Sequence, residues 1–325
     1  MSRSPNLERS ALAAGASPSH EPGDLREGGT WTAGQRLKND TLYFLARAVL
    51  AIAERLPPSI LRALGRNLGT ALWFFDRRSR DVALQNVSRA FPELTPIART
   101  AFVRRVFREL GALLGDVVST LDPKRELPAL PFLPGARECL EQAMAEGRGV
   151  VFASAHLGPW ERVATSLVGA GIPLTVVARE PYDPRLGRIY HRLREVRGVR
   201  TVYRGADGAG IALVRVLRRG GVLGIPMDLA SRVPSVDVPF LGSPAPTAVG
   251  PARLAIRTGA IVVVGTAARD ESGRLGLSFV RVGDTLSETD LTARINTELS
   301  ARIRAMPEAW PWMHRRWPHH PDPAR

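Results

Sequence analysis

Val150-Val151-Phe152-Ala153-Ser154-Ala155-His156-Leu157-Gly158-Pro159-Trp160-Glu161 passes from an apolar run, rich in β-branched and aromatic residues, to a histidine. A Gly-Pro step follows, and then a helical pattern through Val163, Leu167 and Val168. The run reads as a buried strand, and Pro159 suits the first turn of a helix. His156 therefore falls on a strand-to-helix turn at the carboxyl edge of a sheet, where open α/β folds place their chemistry. Glu161 falls in the first turn of the helix, where the helix dipole favours a carboxylate.

The spacing His156-x4-Glu161 reads as a catalytic dyad. A histidine takes a proton near neutral pH, but it needs one tautomer and one orientation to do so reliably. A carboxylate on the far ring nitrogen supplies both, and Glu161 is the expected partner. The bland alternative is an ordinary turn histidine followed by a helix-start carboxylate. The pattern is short, so the rest of the chain decides.

Composition narrows the choice. The 325 residues are 44% hydrophobic, enough for a large core in one domain or two small ones. The net charge of +14 (45 Lys+Arg against 31 Asp+Glu) implies an anionic partner, whether nucleic acid, an acidic membrane face or an acidic carrier. Only Lys38 and Lys124 are lysines, so arginine carries the surplus. The single cysteine, Cys139, excludes an internal disulfide. No zinc-type Cys/His spacing occurs, and no metal site is expected.

The chain divides into a disordered N-terminal tail (1–37), a membrane-associating helical segment (38–80), a catalytic domain (81–318) and a short tail (319–325). The first carries Ser, Gly, Pro and mixed charge without periodicity. In the second, Leu42, Tyr43, Phe44, Leu45, Val49, Leu50 and Ile52 crowd together but fall short of the ~20 residues of a membrane span. Leu61, Leu64, Leu68, Leu72 and Phe75 then form one helical stripe, with Arg62 and Arg66 off it. Basic amphipathic helices of this kind lie in a membrane interface; the alternative is packing on the domain. Thr95-Pro96 opens a helix whose core face is Phe102, Val106, Phe107, Leu110, Leu113, Leu114 and Val117.

Beyond the opening motif, strands are expected at 173–178, 201–203, 221–226, 260–267 and 276–282, and helices at 184–196, 208–218, 248–257 and 290–305. This alternation implies a single-domain α/β sandwich with a largely parallel central sheet. The run Trp310-Pro311-Trp312-Met313-His314-Arg315-Arg316-Trp317 suits a membrane interface, could stack on nucleic acid, or could simply pack against the sheet.

Several stretches, in order, resemble the late acyltransferases of lipid A assembly (the lauroyl/myristoyl transferase family), within the wider H-x4-[DE] glycerolipid acyltransferase superfamily. They are Asp81-Val82-Ala83-Leu84-Gln85-Asn86 with Ala90-Phe91-Pro92-Glu93; Ala155 to Glu161; Ala178 to Leu186 followed by Arg192-Leu193-Arg194; Leu217 to Asp228; Val238 to Ala255; and Trp310 to Trp317. They span about residues 40 to 318. Two positions depart from the family pattern: Leu229 follows Asp228 where a polar residue is common, and Ala178 precedes Arg179 where Tyr or Thr is common.

The resemblance implies a membrane-associated enzyme on the cytoplasmic face of the inner membrane. It would move a fatty acyl group from an acyl-carrier protein or acyl-CoA thioester to a hydroxyl of a lipid A precursor, with no cofactor, no metal and no nucleic-acid partner. His156, Glu161 and Arg194 are the expected catalytic residues, with Arg179, Asp228, Gly158 and Trp160 binding substrate. Backbone N–H groups near Gly158, or a guanidinium, are the expected oxyanion donors. No G-x-S-x-G elbow precedes the histidine, so neither Ser154 nor Cys139 is expected to form an acyl-enzyme. Other classes remain open: another glycolipid or phospholipid acceptor of the phosphatidylinositol-mannoside type, a non-catalytic basic membrane- or nucleic-acid-binding protein, and a metal hydrolase that would lack a local third ligand.

Overall fold

The computed structural model describes residues 30–120, 125–126, 128–283 and 287–318. Most of the expected N-terminal tail and all of residues 319–325 lie outside them. The first helix, α1 (Ala33–Ala53), begins inside the stretch assigned to that tail. Thr32 and Gln35 form a reciprocal capping box there, which starts the helix ahead of the apolar periodicity.

Three further helices follow: α2 (Pro58–Phe75), α3 (Arg77–Ala90) and α4 (Pro96–Ser119). Thr95 caps α4 as expected, its hydroxyl accepting from the Ala98 N–H at 3.2 Å. Glycines let α2 and α4 meet backbone to backbone. A Cβ on Gly65 would lie 2.1 Å from the Gly111 carbonyl oxygen, and one on Gly111 would lie 2.2 Å from that of Gly65. Gly69 and Gly115 meet Phe107 and Leu61 in the same way. These two small-x3-small patterns allow the close crossing common between membrane helices.

That contact turns Leu61 and Trp73 inward and leaves the rest of the expected stripe (Leu64, Leu68, Leu72 and Phe75) exposed. Leu37, Phe44, Leu45 and Ile52 of α1 are exposed as well. Leu114, expected in the core, is half exposed, because α4 offers its inner face to α2 and α3. Among the described residues no helix is long and apolar enough to cross a membrane.

The remaining elements alternate: α5 (Ala136–Ala145), β1 (Val150–Ser154), α6 (Trp160–Gly169), β2 (Leu174–Arg179), α7 (Pro184–Val196), β3 (Arg200–Arg204), α8 (Ala209–Arg218), β4 (Val222–Pro226), β5 (Ser235–Phe240), β6 (Ser243–Ala248), α9 (Gly250–Thr258), β7 (Ile261–Arg269), β8 (Leu275–Val282) and α10 (Glu288–Ala305). The central sheet has the order β3-β2-β4-β1-β7-β8. Only β8 runs antiparallel to its neighbour, so the sheet is largely parallel, as the alternation of strand and helix implies.

Side chains alternate along the strands and divide the core in two. Val150, Phe152, Val222, Ile261 and Val263 pack under α5 and α6. Val151, Ala153, Leu223, Val262 and Val264 pack under α9 and α10, continuous with α3, α4 and the closing tryptophans. The result is an α/β sandwich with helices on both faces of one sheet.

The β5–β6 hairpin is absent from the sequence-based assignment. Pro239 and Pro244 pair directly in it, and Pro246 faces Asp237. Prolines demote a run as a strand, and they are tolerated here because the hairpin is a separate two-stranded ribbon with free edges.

Candidate active site

Strand register builds the site. β1 and β4 are parallel neighbours in which Ser154 pairs with Pro226. His156 and Asp228 each lie two residues beyond those strand ends, so equal offsets deliver both side chains to one point on the carboxyl edge. The Met227 N–H donates to the Ser154 carbonyl at 2.9 Å and carries the ladder one step further.

Asp228 is fully buried. It accepts three hydrogen bonds: from the His156 backbone N–H (3.0 Å), at His156 Nδ1 (3.0 Å) and from the Trp310 indole N–H (2.8 Å). A carboxylate so fully met stays ionised; although burial opposes the charge, His156 and these bonds hold it below the usual carboxylate range. The His156 ring is in turn lifted above its ordinary value. Burial acts against the charged ring, but the Asp228 charge and hydrogen bond outweigh it, and Glu161 adds to them.

The expectation that Glu161 orients the ring does not match this geometry. Nδ1 faces Asp228, and Glu161 turns to Arg194, with Nη2–Oε1 at 2.7 Å and Nε–Oε2 at 3.3 Å. The reason is positional. Glu161 starts α6, Arg194 lies in the last turn of α7, and both side chains are mostly buried, so each needs the other's charge. Burial works against the Arg194 charge, yet the bond to Glu161 keeps its guanidinium above the ordinary value. Glu161 thus contributes a nearby negative charge to the histidine.

Other expected residues divide. The Trp160 ring stands edge-on to His156, centroids 5.5 Å apart, and walls one side of the site. Gly158 adopts φ 60°, a left-handed turn that suits glycine. Its N–H donates to the Ala309 carbonyl at 3.0 Å, and the Trp160 N–H donates to the Gly158 carbonyl at 3.0 Å. Neither of these two N–H groups is free for an oxyanion. Arg179, exposed at the end of β2, stacks over the Tyr182 ring at 4.6 Å, and no hydrogen bond or ion pair among the described residues joins it to His156, Glu161 or Asp228. Ser154 donates its hydroxyl to the Gly265 carbonyl at 2.9 Å, and Cys139 packs against the α5–α6 face of the core. Among the described residues no group of three His, Cys, Asp or Glu could hold a metal.

Sequence reasoning missed the closing aromatic run as part of the site. Trp310, Trp312 and Trp317 are buried, so of the three uses weighed for this stretch, packing is the one seen. Asn86 of α3 donates to the carbonyls of Trp312 and His314, both at 2.7 Å, and ties the run down. Trp310 reaches Asp228 directly. The signal that could have pointed there was the need of a buried carboxylate for a donor. His314 lies close enough to feel the charges of Asp228 and His156. Burial pulls its value down, and its Nδ1 has no partner among the described residues.

Fold and site together define a class: a mostly parallel α/β sheet, flanked on both faces, that carries an H-x4-[DE] histidine at its carboxyl edge. Within that class the chain belongs to the bacterial lipid A biosynthesis acyltransferase family, whose profile matches residues 35–319, and it is an acyltransferase. It is 26% identical over 290 residues to the lipid A biosynthesis lauroyltransferase of Escherichia coli, covering 86% of this chain and 92% of that protein. It is also 28% identical over 176 residues, 54% of each chain, to a phosphatidylinositol mannoside acyltransferase of Mycobacterium tuberculosis.

Proposed function

We propose that this acyltransferase moves a fatty acyl group from a thioester donor, acyl-carrier protein or acyl-CoA, to a hydroxyl of a lipid A precursor. The observation that carries the mechanism is the Nδ1–Asp228 bond. With Nδ1 engaged, the neutral ring bears its proton there and turns the Nε2 lone pair outward as the base. Nε2 takes the proton from the acceptor hydroxyl as its oxygen attacks the thioester carbonyl. The C–S bond then breaks, and the leaving thiolate recovers the proton from the imidazolium. General-base help of this kind contributes ~10²–10⁴ in rate. Arg194, fixed by Glu161, supplies positive charge for the oxyanion. A donor in that role contributes roughly 3 kcal/mol.

The lauroyltransferase relative, matched over nearly its whole length, supports the lipid A acceptor. The exposed apolar side chains of α1 and α2, together with the net charge of +14, support peripheral binding to an anionic membrane, on the cytoplasmic face of the inner membrane. The mannoside-transferase relative favours a second acceptor, a phosphatidylinositol mannoside.

The test offers the purified enzyme an acyl thioester with a tetra-acyl lipid A precursor or a phosphatidylinositol mannoside, with His156→Ala alongside. The expected outcome is one added acyl mass on the lipid A precursor, absent in the variant. Acylation of the mannoside alone would move the acceptor to the second reading, and equal transfer by His156→Ala would end the general-base mechanism.

A further inference from the structure

Beside the Gly158–Pro159 turn lies a cavity of about 670 Å³ with an unusual lining. Six arginines line it: Arg62, Arg66, Arg105, Arg108, Arg162 and Arg269. Three carboxylates oppose them, and two of the arginines form the direct ion pairs with all three. Arg62 pairs with Asp116 and Glu109, and Arg105 with Glu308 at 3.3 Å. Six positive against three negative groups leaves a lining of +3.

The remaining cations have little to hold them. Arg269 donates to the Gly273 carbonyl and Arg162 to the Pro128 carbonyl, both neutral groups; Arg162 also feels the charge of Asp116, but its Nε is buried without a partner among the described residues. The guanidinium groups of Arg66 and Arg108 make no hydrogen bond or ion pair among the described residues. Like charges gathered in a concave site repel one another and focus a positive field. Such a lining is stabilised when an anion enters, and the guanidinium fork matches a phosphate with two parallel hydrogen bonds. The volume falls in the range of small-molecule sites, so a phosphate fits together with the body that carries it.

We propose that this cavity is a phosphate-binding subsite in which Arg66 and Arg108 hold a substrate's phosphate while the reacting group reaches His156. Its position supports the idea. Gly158 lines the cavity and lies two residues from His156, at most ~7 Å along the chain. The inference rests on the transfer reaction proposed above. That reaction offers two carriers of the phosphate: the phosphopantetheine arm of the thioester donor and the phosphorylated sugar of the acceptor.

Titration calorimetry on the full chain in detergent separates them. One pair of probes is 4′-phosphopantetheine and pantetheine; the other is glucosamine 1-phosphate and glucosamine. Each pair differs by one phosphate. The expected result is that the phosphorylated probe of one pair binds at least ~10-fold more tightly, since a charge-assisted hydrogen bond contributes about that much. The pair that shows it identifies the carrier. The advantage disappears in Arg66→Gln/Arg108→Gln. If the double variant melts early, Arg108→Gln alone, at an exposed position, carries the same comparison. The proposal is overturned if neither pair distinguishes phosphate, or if the variants keep the advantage. Binding is read without turnover. Phosphate selectivity in an enzyme that acylates no lipid would therefore sink the transfer reading and keep the cavity, and the reverse result would do the opposite.

Discussion

Asp228 governs His156 through charge, orientation and tautomer at once. Asp228→Asn keeps the shape and removes the charge, and kcat is expected to fall by roughly 10³–10⁴ because the wrong tautomer is then favoured. The pH dependence follows from the same contact. Since the ring value is raised in the fold, the base becomes available only as the pH climbs above the ordinary 6.5, and kcat/KM rises through that higher value. In Asp228→Asn the residual activity should rise at lower pH; an unmoved midpoint would show that the shift has another source. Stability has the matching sign. A raised histidine adds stability that is complete below the unfolded value and is lost as the pH climbs through the folded one. Arg194→Lys retains the charge but not the fork that grips Glu161. Its kcat should drop by about 10² or more with little change in KM; an unchanged kcat would remove Arg194 from the reaction.

Among the elements, the α2–α4 crossing is the one set by glycine. Gly111→Ala drives a methyl into the Gly65 carbonyl region, with backbone on both sides and nothing flexible to yield. Overpacking of this kind costs about 1–3 kcal/mol, and thermal melting should show it. An unshifted melt would mean that the helices separate freely. The element scale also marks how far the sequence could be read. Strand-helix alternation sufficed for the parallel sheet, because short apolar runs that alternate with helical periodicity leave few other readings. The bounds of α7 matched, since Asp183-Pro184 caps and starts the helix unmistakably. The β5–β6 hairpin was hidden behind its prolines. At the site, the strand-end position of His156 was legible, whereas its carboxylate partner was misassigned. The sequence neighbour Glu161 is covalently close, but the register of β1 with β4, a contact 72 residues apart, brings Asp228 closer. Pairing between distant strands leaves no local spacing to read.

At the scale of the whole molecule, exposed apolar side chains gather on the N-terminal helices. Phe75 is 85% exposed and Leu37 71%, values hard to explain in water alone. Leu64→Glu/Leu68→Glu should leave the melt unchanged and reduce co-sedimentation with anionic vesicles several-fold. Undiminished sedimentation would place membrane contact elsewhere. Because the surplus charge is arginine, binding of the unmodified protein should also weaken as salt rises.

The third donor on the buried carboxylate comes from a residue far downstream of both His156 and Asp228. His156 and Asp228 leave the ribosome long before Trp310, whose indole N–H is one of the three donors on the buried carboxylate. A nascent chain that ends near residue 305 already holds all six strands of the sheet, yet Asp228 lacks that donor, and the Gly158 N–H lacks the Ala309 carbonyl. A chain truncated after residue 305 is therefore expected to keep the strands that carry His156 and Asp228 while leaving that buried carboxylate one donor short.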